Sequence, residues 1–231
     1  MKADIGIIGA LENEVESIIG ELKNKKTETV SGITFHTGEL FDKQVVVARC
    51  GVGKVFAAIC AEAMIIKYSP SLIVNTGVGG ALAHGLQSAD MVIADKLCQH
   101  DMDTSFLGDP VGLISGINVI YFETDKKAVN ILKESCEKLF LRSFVGTVAS
   151  GDKFIASVEQ KREIVKNFSA IACEMEGAAI AQTAYVNQVP FVVIRAISDS
   201  ADGNASMDYS TFMPIAAKSS AALTLELVRN Y

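Results

Sequence analysis

Short apolar runs rich in β-branched residues alternate with helical patterns along the whole chain, and no other feature limits its fold as tightly. The candidate strands cover residues 3–9, 33–37, 45–50, 72–76, 91–97, 119–122, 145–150, 170–173 and 191–197. Between and after them the spacing predicts helices over 11–23, 55–68, 126–140, 158–167, 177–186 and roughly 212–229. Such alternation implies an α/β domain around a sheet with parallel strand pairs. The 231 residues suffice for one large domain with a contiguous core, and no linker, repeat or low-complexity stretch divides them. A single domain over 1–231 is therefore expected. Sheets of this kind place ligands at the carboxyl ends of their strands, which is where chemistry is to be sought.

Composition removes several function classes. A net charge of −6 at pH 7 argues against a nucleic-acid partner, because binding phosphates requires a Lys/Arg-rich face. The one dense basic cluster, Lys23, Lys25 and Lys26, reads as a solvated helix end where cations suit the dipole. Apolar stretches such as residues 56–66 are broken by a charge, here Glu62, and none reaches the ~18 residues of a membrane helix. The opening MKADIGIIGALENEVE lacks the basic start, long apolar centre and cleavage point of a secretory signal, so a cytoplasmic location is expected. Five cysteines, at 50, 60, 98, 136 and 173, are odd in number and never closely paired, which argues against disulfides or a zinc knuckle. His36, His84 and His100 form no HExxH pattern, and Asp101 and Asp103 add too few ligands to His100 for a metal site. Neither a metal nor a cofactor is expected.

Six segments could carry chemistry. The first strand runs into Leu11-Glu12-Asn13-Glu14-Val15-Glu16. On a helix Glu12 and Glu16 share a face, where they complement the dipole, whereas Glu14 points nearly the opposite way and can reach a ligand at the strand mouth. Gly51-Val52-Gly53-Lys54 is not a P-loop, and Asn75-Thr76-Gly77-Val78-Gly79-Gly80 is not a dinucleotide fingerprint. Each reads as a tight strand-to-helix turn, although Gly79 and Gly80 would let the backbone approach a ligand. In Ser150-Gly151-Asp152-Lys153-Phe154-Ile155, Phe154 is either core or a stacking platform for a base. Cys173-Glu174-Met175-Glu176-Gly177 places two acids directly after a buried strand, pointing the same way if the extended geometry continues. Such acids must be solvated, hydrogen-bonded or functional, and vicinal sugar hydroxyls suit them. In Arg195-Ala196-Ile197-Ser198-Asp199 and on to Asp202, either aspartate could cap a turn, but Asp199 sits where the sheet would meet ligand. Arg195 could pair with an interior acid.

Taken in order, GIIGALENEVE, NTGVGG, SGDKFI, CEMEGAA and VVIRAISDSAD resemble the nucleoside phosphorylase/nucleosidase superfamily, and within it the 5′-methylthioadenosine/S-adenosylhomocysteine nucleosidases. The resemblance covers essentially the whole chain, and EMEGAA with RAISDSAD at matching separation is its most specific part. It implies a central mixed, partly barrel-like β-sheet flanked by helices, a small-molecule nucleoside substrate and a homodimer. It also implies roles. Glu14, not Glu12, matches the acid that orients the attacking water, and Asp199, steadied by Ser198, the acid that protonates N7 of adenine. Glu176 would hold the ribose hydroxyls, with Met175 against the sugar and Glu174 beside it. Phe154 would stack on adenine while the Ile155 backbone reads its edge, and Leu11 and Tyr209 would line the pocket with Val78, Gly79 and Gly80.

The chain departs from the nucleosidase pattern twice. Val78 stands where a serine is common near sugar and water, which removes one hydroxyl contact. Residues 103–118 also differ, in a region that in relatives helps close the neighbouring subunit's 5′ pocket; Phe106 is the candidate for that part. Two rivals remain. A phosphorylase of the same fold would need arginines and hydroxyls for phosphate, but the first turn offers Glu14 and NTGVGG has neither Arg nor Ser. A silent nucleoside-binding module would retain Phe154 and Glu176 but have little need of both Glu14 and Asp199.

Overall fold

A computed structural model describes residues 2–201 and 205–231. The opening strand, β1 (Ile5–Gly9), is buried at every position, and its neighbours explain why. It lies in parallel between β4 (Lys43–Arg49) and β5 (Leu72–Ala81), with helices packed on both faces. The strand alternation sends Ile8 to one apolar cluster and Ile5 and Ile7 to the other. A strand covered on both sides needs apolar residues in succession, which is the pattern of β1.

Between these strands run α1 (Glu12–Glu21), β2 (Lys23–Val30), β3 (Ile33–Leu40) and α2 (Lys54–Tyr68). After β5 come β6 (Met91–Gln99), a 3₁₀ turn (Ser105–Leu107), β7 (Phe122–Glu123), α3 (Lys126–Lys138), β8 (Ser143–Ser150) and α4 (Val158–Phe168). The chain ends with β9 (Ala172–Glu174), α5 (Gly177–Val186), β10 (Phe191–Asp199) and α6 (Ala205–Asn230). Helices α2 and α5 cover one face of the sheet through Ala57, Ala61, Met64 and Ala178–Ala181. Helices α1, α3 and α6 cover the other through Val15, Ile18, Leu132, Leu223 and Leu227.

The sheet is mixed and partly closed. β5 pairs with β10 in parallel and with β9 in antiparallel, and β10–β6–β8–β9 completes a ring of five strands. From β5 an open wing extends through β1, β4, β3 and β2. This is the α/β architecture with a barrel-like sheet that the resemblance implies.

Four sequence expectations change. Lys23, Lys25 and Lys26 do not end a helix but begin β2, the outermost strand of the wing, exposed along nearly its whole length. An edge strand buried on neither face shows no apolar alternation, and its lysines block further pairing. The strand expected at 119–122 shrinks to β7 and a single bridge between Ile114 and Val119. The glycine run 77–80 is not a turn but the second half of β5. Helix α6 begins at Ala205, ahead of 212, and carries Pro214 inside it. Asp202 lies outside the described residues. Among the described residues no helix is long and apolar enough to cross a membrane.

Candidate active site

The carboxyl ends of β1, β5, β9 and β10 meet around one cavity of about 210 Å³. Glu14 enters it from the first turn of α1. Its Oε2 accepts from the Ala10 N–H at 2.7 Å and the Leu11 N–H at 2.9 Å, closing the helix start, while Oε1 accepts from the Val78 N–H at 3.1 Å. Burial pushes the Glu14 carboxyl above the ordinary carboxylate range, against the opposing pull of the Arg195 charge and these N–H groups. Glu12 and Glu16 are exposed, as dipole-complementing acids should be. A Cβ on Gly77 would stand 2.5 Å from Glu14 Oε1, so only glycine lets β5 pass this close to the acid.

Asp199 enters at the end of β10. A register shift between Ile197 and Asp199 sets the aspartate opposite Gly80 of β5. Its Oδ2 accepts from the Ser198 hydroxyl at 2.8 Å and its Oδ1 from the Ala201 N–H at 2.9 Å. A Cβ on Gly80 would stand 2.9 Å from Asp199 Oδ1. Two acids thus rest against two glycines of one strand.

The paired acids after β9 diverge. The chain bends at Glu176, which takes φ −133° and ψ −40° before α5, and Glu174 and Glu176 take different partners. Glu174 is fully engaged: Ser150 Oγ donates to Oε1, while Arg195, the Glu176 N–H and the Gly177 N–H converge on Oε2. Burial alone would raise its pKa; the Arg195 guanidinium and these donors outweigh it and hold the carboxyl below the usual range. Glu174 borders the cavity, and its Oε2 anchors the start of α5. Glu176 accepts from the Gly53 N–H at 2.8 Å through Oε1. Burial and the neighbouring Glu174 charge push it up to about 7.

Aromatic side chains frame the other side. Phe154, on the loop after β8, meets Tyr209 of α6 edge-on, with centroids 5.7 Å apart and planes at 85°. Phe154 keeps 44% of its surface exposed, so it is not a core residue. Leu11, Val78, Gly79 and Gly80 border the same cavity, as do Ile155, Met175 and Ser198.

The sequence from 4 to 229 matches the model of the phosphorylase superfamily. The chain belongs to the phosphorylase superfamily. Among curated superfamily members it is 42% identical, over 97% of its length and 98% of the relative's, to the 5′-methylthioadenosine/S-adenosylhomocysteine nucleosidase of Staphylococcus aureus. Its fold matches the nucleosidase of that name from Neisseria meningitidis, in complex with methylthio-immucillin-A, at a TM-score of 0.95 and 34% identity, covering 98% and 99% of the two chains. Futalosine hydrolase of Helicobacter pylori is similar too, with TM-score 0.94, 33% identity and coverage of 98% and 97%.

Phe106 is the one sequence-predicted residue absent from the cavity lining. It lies fully exposed on the 3₁₀ turn after β6, beside an equally open Leu107. Four lining residues were not foreseen: Ala10, Val52, Lys153 and Cys173. Each lies within or directly beside a motif already singled out; what hid them is that their ordinary chemistry gives no functional signal. Among the described residues Lys153 is the only cation on the lining, and Arg195 is sequestered between Glu174 and Asn75.

Proposed function

We propose that this superfamily member hydrolyses the N-glycosidic bond of 5′-thio-substituted adenosines, 5′-methylthioadenosine and S-adenosylhomocysteine, to adenine and the thioribose. One observation carries the reading: the Glu14 and Asp199 carboxyls border a single cavity that also holds Phe154 and Glu176. Adenine stacks on Phe154 with the Ile155 backbone at its edge. As the C1′–N9 bond breaks, its electron pair passes to the base and Asp199 gives a proton to N7. The ribosyl centre becomes cationic, and water held by Glu14 bonds to C1′ and yields its proton to that carboxylate. Glu176 accepts from the ribose hydroxyls through the oxygen that Gly53 does not hold, with Met175 packed on the sugar. Val78 offers its backbone N–H to Glu14 and an apolar side chain to the sugar.

Hydrolysis is favoured over phosphorolysis because no free arginine borders the cavity among the described residues, and Glu14 would repel phosphate. The test is a panel of 5′-methylthioadenosine, S-adenosylhomocysteine, 5′-deoxyadenosine and an adenine-bearing futalosine, read by free adenine with and without phosphate. Adenine release without phosphate is expected; an absolute phosphate requirement would overturn the reading. Binding without turnover on every member would leave the silent module in its place.

The geometry yields two further expectations. Gly77→Ala brings a methyl group against Glu14 Oε1, so the carboxylate, held by the Ala10, Leu11 and Val78 N–H groups, must shift. A displacement of about 1 Å costs on the order of 10² in kcat, measured as adenine release from a variant that is still folded by its melting curve. Because Glu176 titrates at about 7 and must accept from hydroxyls, kcat/KM should rise with pH through a limb near 7. The Glu14 carboxyl, raised by burial and required ionised, moves activity in the same direction with pH. Glu176→Gln should lose the limb's Glu176 share; an unchanged limb would remove Glu176 from it.

The enzyme is proposed to act as a homodimer. A groove of about 960 Å³ runs between α2 and α5, and Val55, Ile59, Ile66 and Val186 expose apolar surface along it. Phe106, fully exposed on its 3₁₀ turn, is the residue proposed to close the partner's pocket. Sedimentation at the single-chain mass would refute it. All five cysteines are buried free thiols, which suits a cytoplasmic enzyme.

A further inference from the structure

Lys161 lies on α4, outside every motif that carries the resemblance, yet its ammonium reaches two main-chain carbonyls. It donates to Ala81 O at 2.7 Å and to Ser200 O at 2.9 Å. Those carbonyls directly follow Gly80 and Asp199, the residues that face each other across the register shift of β5 and β10. The pairing of the two strands ends at that point. Beyond it, a cation with three donors takes the place of ladder hydrogen bonds and ties the two strand ends together. The charges of Lys161 and Asp199 both act on the Cys173 thiol, whose sulfur lies 3.3 Å from where a Cβ on Gly80 would stand. Lys161 itself does not border the nucleoside cavity.

We propose that Lys161 is a positioning residue for Asp199: by holding the carbonyls of residues 81 and 200 it fixes the end of β10 on β5 and keeps the carboxyl aimed at the departing base. The proposal rests on the reading of Asp199 as the proton donor. A carboxyl at the last residue of a strand turns with the backbone just beyond it. Ser198 and the Ala201 N–H restrain the carboxyl itself, and Lys161 restrains the backbone that carries both.

The test uses two ribosides of the same 5-methylthio sugar. One is 5′-methylthioadenosine, whose base needs a proton to leave; the other carries 4-nitrophenolate, which leaves without one. Lys161→Met is expected to lower kcat on 5′-methylthioadenosine by roughly 10², the cost of a misplacement on the order of 1 Å. KM should stay nearly unchanged, the nitrophenyl riboside should be cleaved at the wild-type rate, and Lys161→Arg should restore the nucleoside reaction. A merely structural role would slow both ribosides alike. Asp199→Asn serves as the reference. If it fails to discriminate between the two ribosides, the reading of Asp199 falls; if it discriminates and Lys161→Met does not, the lysine proposal alone falls. Lys161→Gln, which keeps a neutral donor for one carbonyl, should show a smaller loss confined to the nucleoside, and it decides the question if the Met variant does not fold.

Discussion

Asp199→Asn is expected to lower adenine release by roughly 10²–10⁴, the usual share of general acid catalysis. The substitution is nearly isosteric, and its amide oxygen can still accept from the Ser198 hydroxyl or the Ala201 N–H, both of which donate to the carboxyl. The cavity should therefore keep its shape, so the loss should fall on kcat while nucleoside affinity is largely retained. Single-turnover measurement of adenine release separates the two quantities. A variant with near wild-type turnover would take Asp199 out of the mechanism.

The largest expected effect on stability is at Arg195. Its guanidinium is buried beneath the site, where it donates to Glu174, to the Asn75 side chain at 2.5 Å and to the Ile194 carbonyl at 2.9 Å. Arg195→Met would leave Glu174 charged in the interior with no cation, a defect that costs about 3–5 kcal/mol. At roughly 2–4 °C per kcal/mol for a chain of this size, the melting temperature should fall by about 6–20 °C. Glu174→Gln added to Arg195→Met removes the stranded charge while keeping an oxygen for the start of α5, and should recover part of the loss. Denaturant unfolding of the three proteins tests this; a double variant no more stable than Arg195→Met would show that the ion pair is not the cause.

Local pattern was enough wherever one residue's surroundings are set by its own segment. Glu14 separates from Glu12 and Glu16 by helical phase alone, and Asp199 stands out because a buried strand ends on it. The strands buried on both faces were legible for the same reason. Strand β2 was not, because KNKKTETV, on the open edge of the wing, has no apolar face to betray it. The glycine run of β5 looked like a turn, since glycine weakens a strand; its reason for being there is the two carboxylates packed against it, which come from residues far along the chain. Glu174 and Glu176 looked equivalent two positions apart. Their roles diverge through partners remote in the chain, Arg195 and Ser150 on Glu174 and the Gly53 N–H on Glu176.

Strand β5 belongs both to the closed ring and to the open wing, and each acid abuts one of its glycines, three residues apart. Three residues of strand span roughly 10 Å, a length set by covalent geometry. On the proposed roles, the proton donor and the water-orienting base each rest against the backbone of this one strand, which side-chain changes cannot stretch. Drift at the outer rim, where the 5′ group would lie, can alter which nucleosides are accepted while the spacing of the chemistry stays constant. Diversification of substrate and preservation of the reaction are therefore separable in this scaffold.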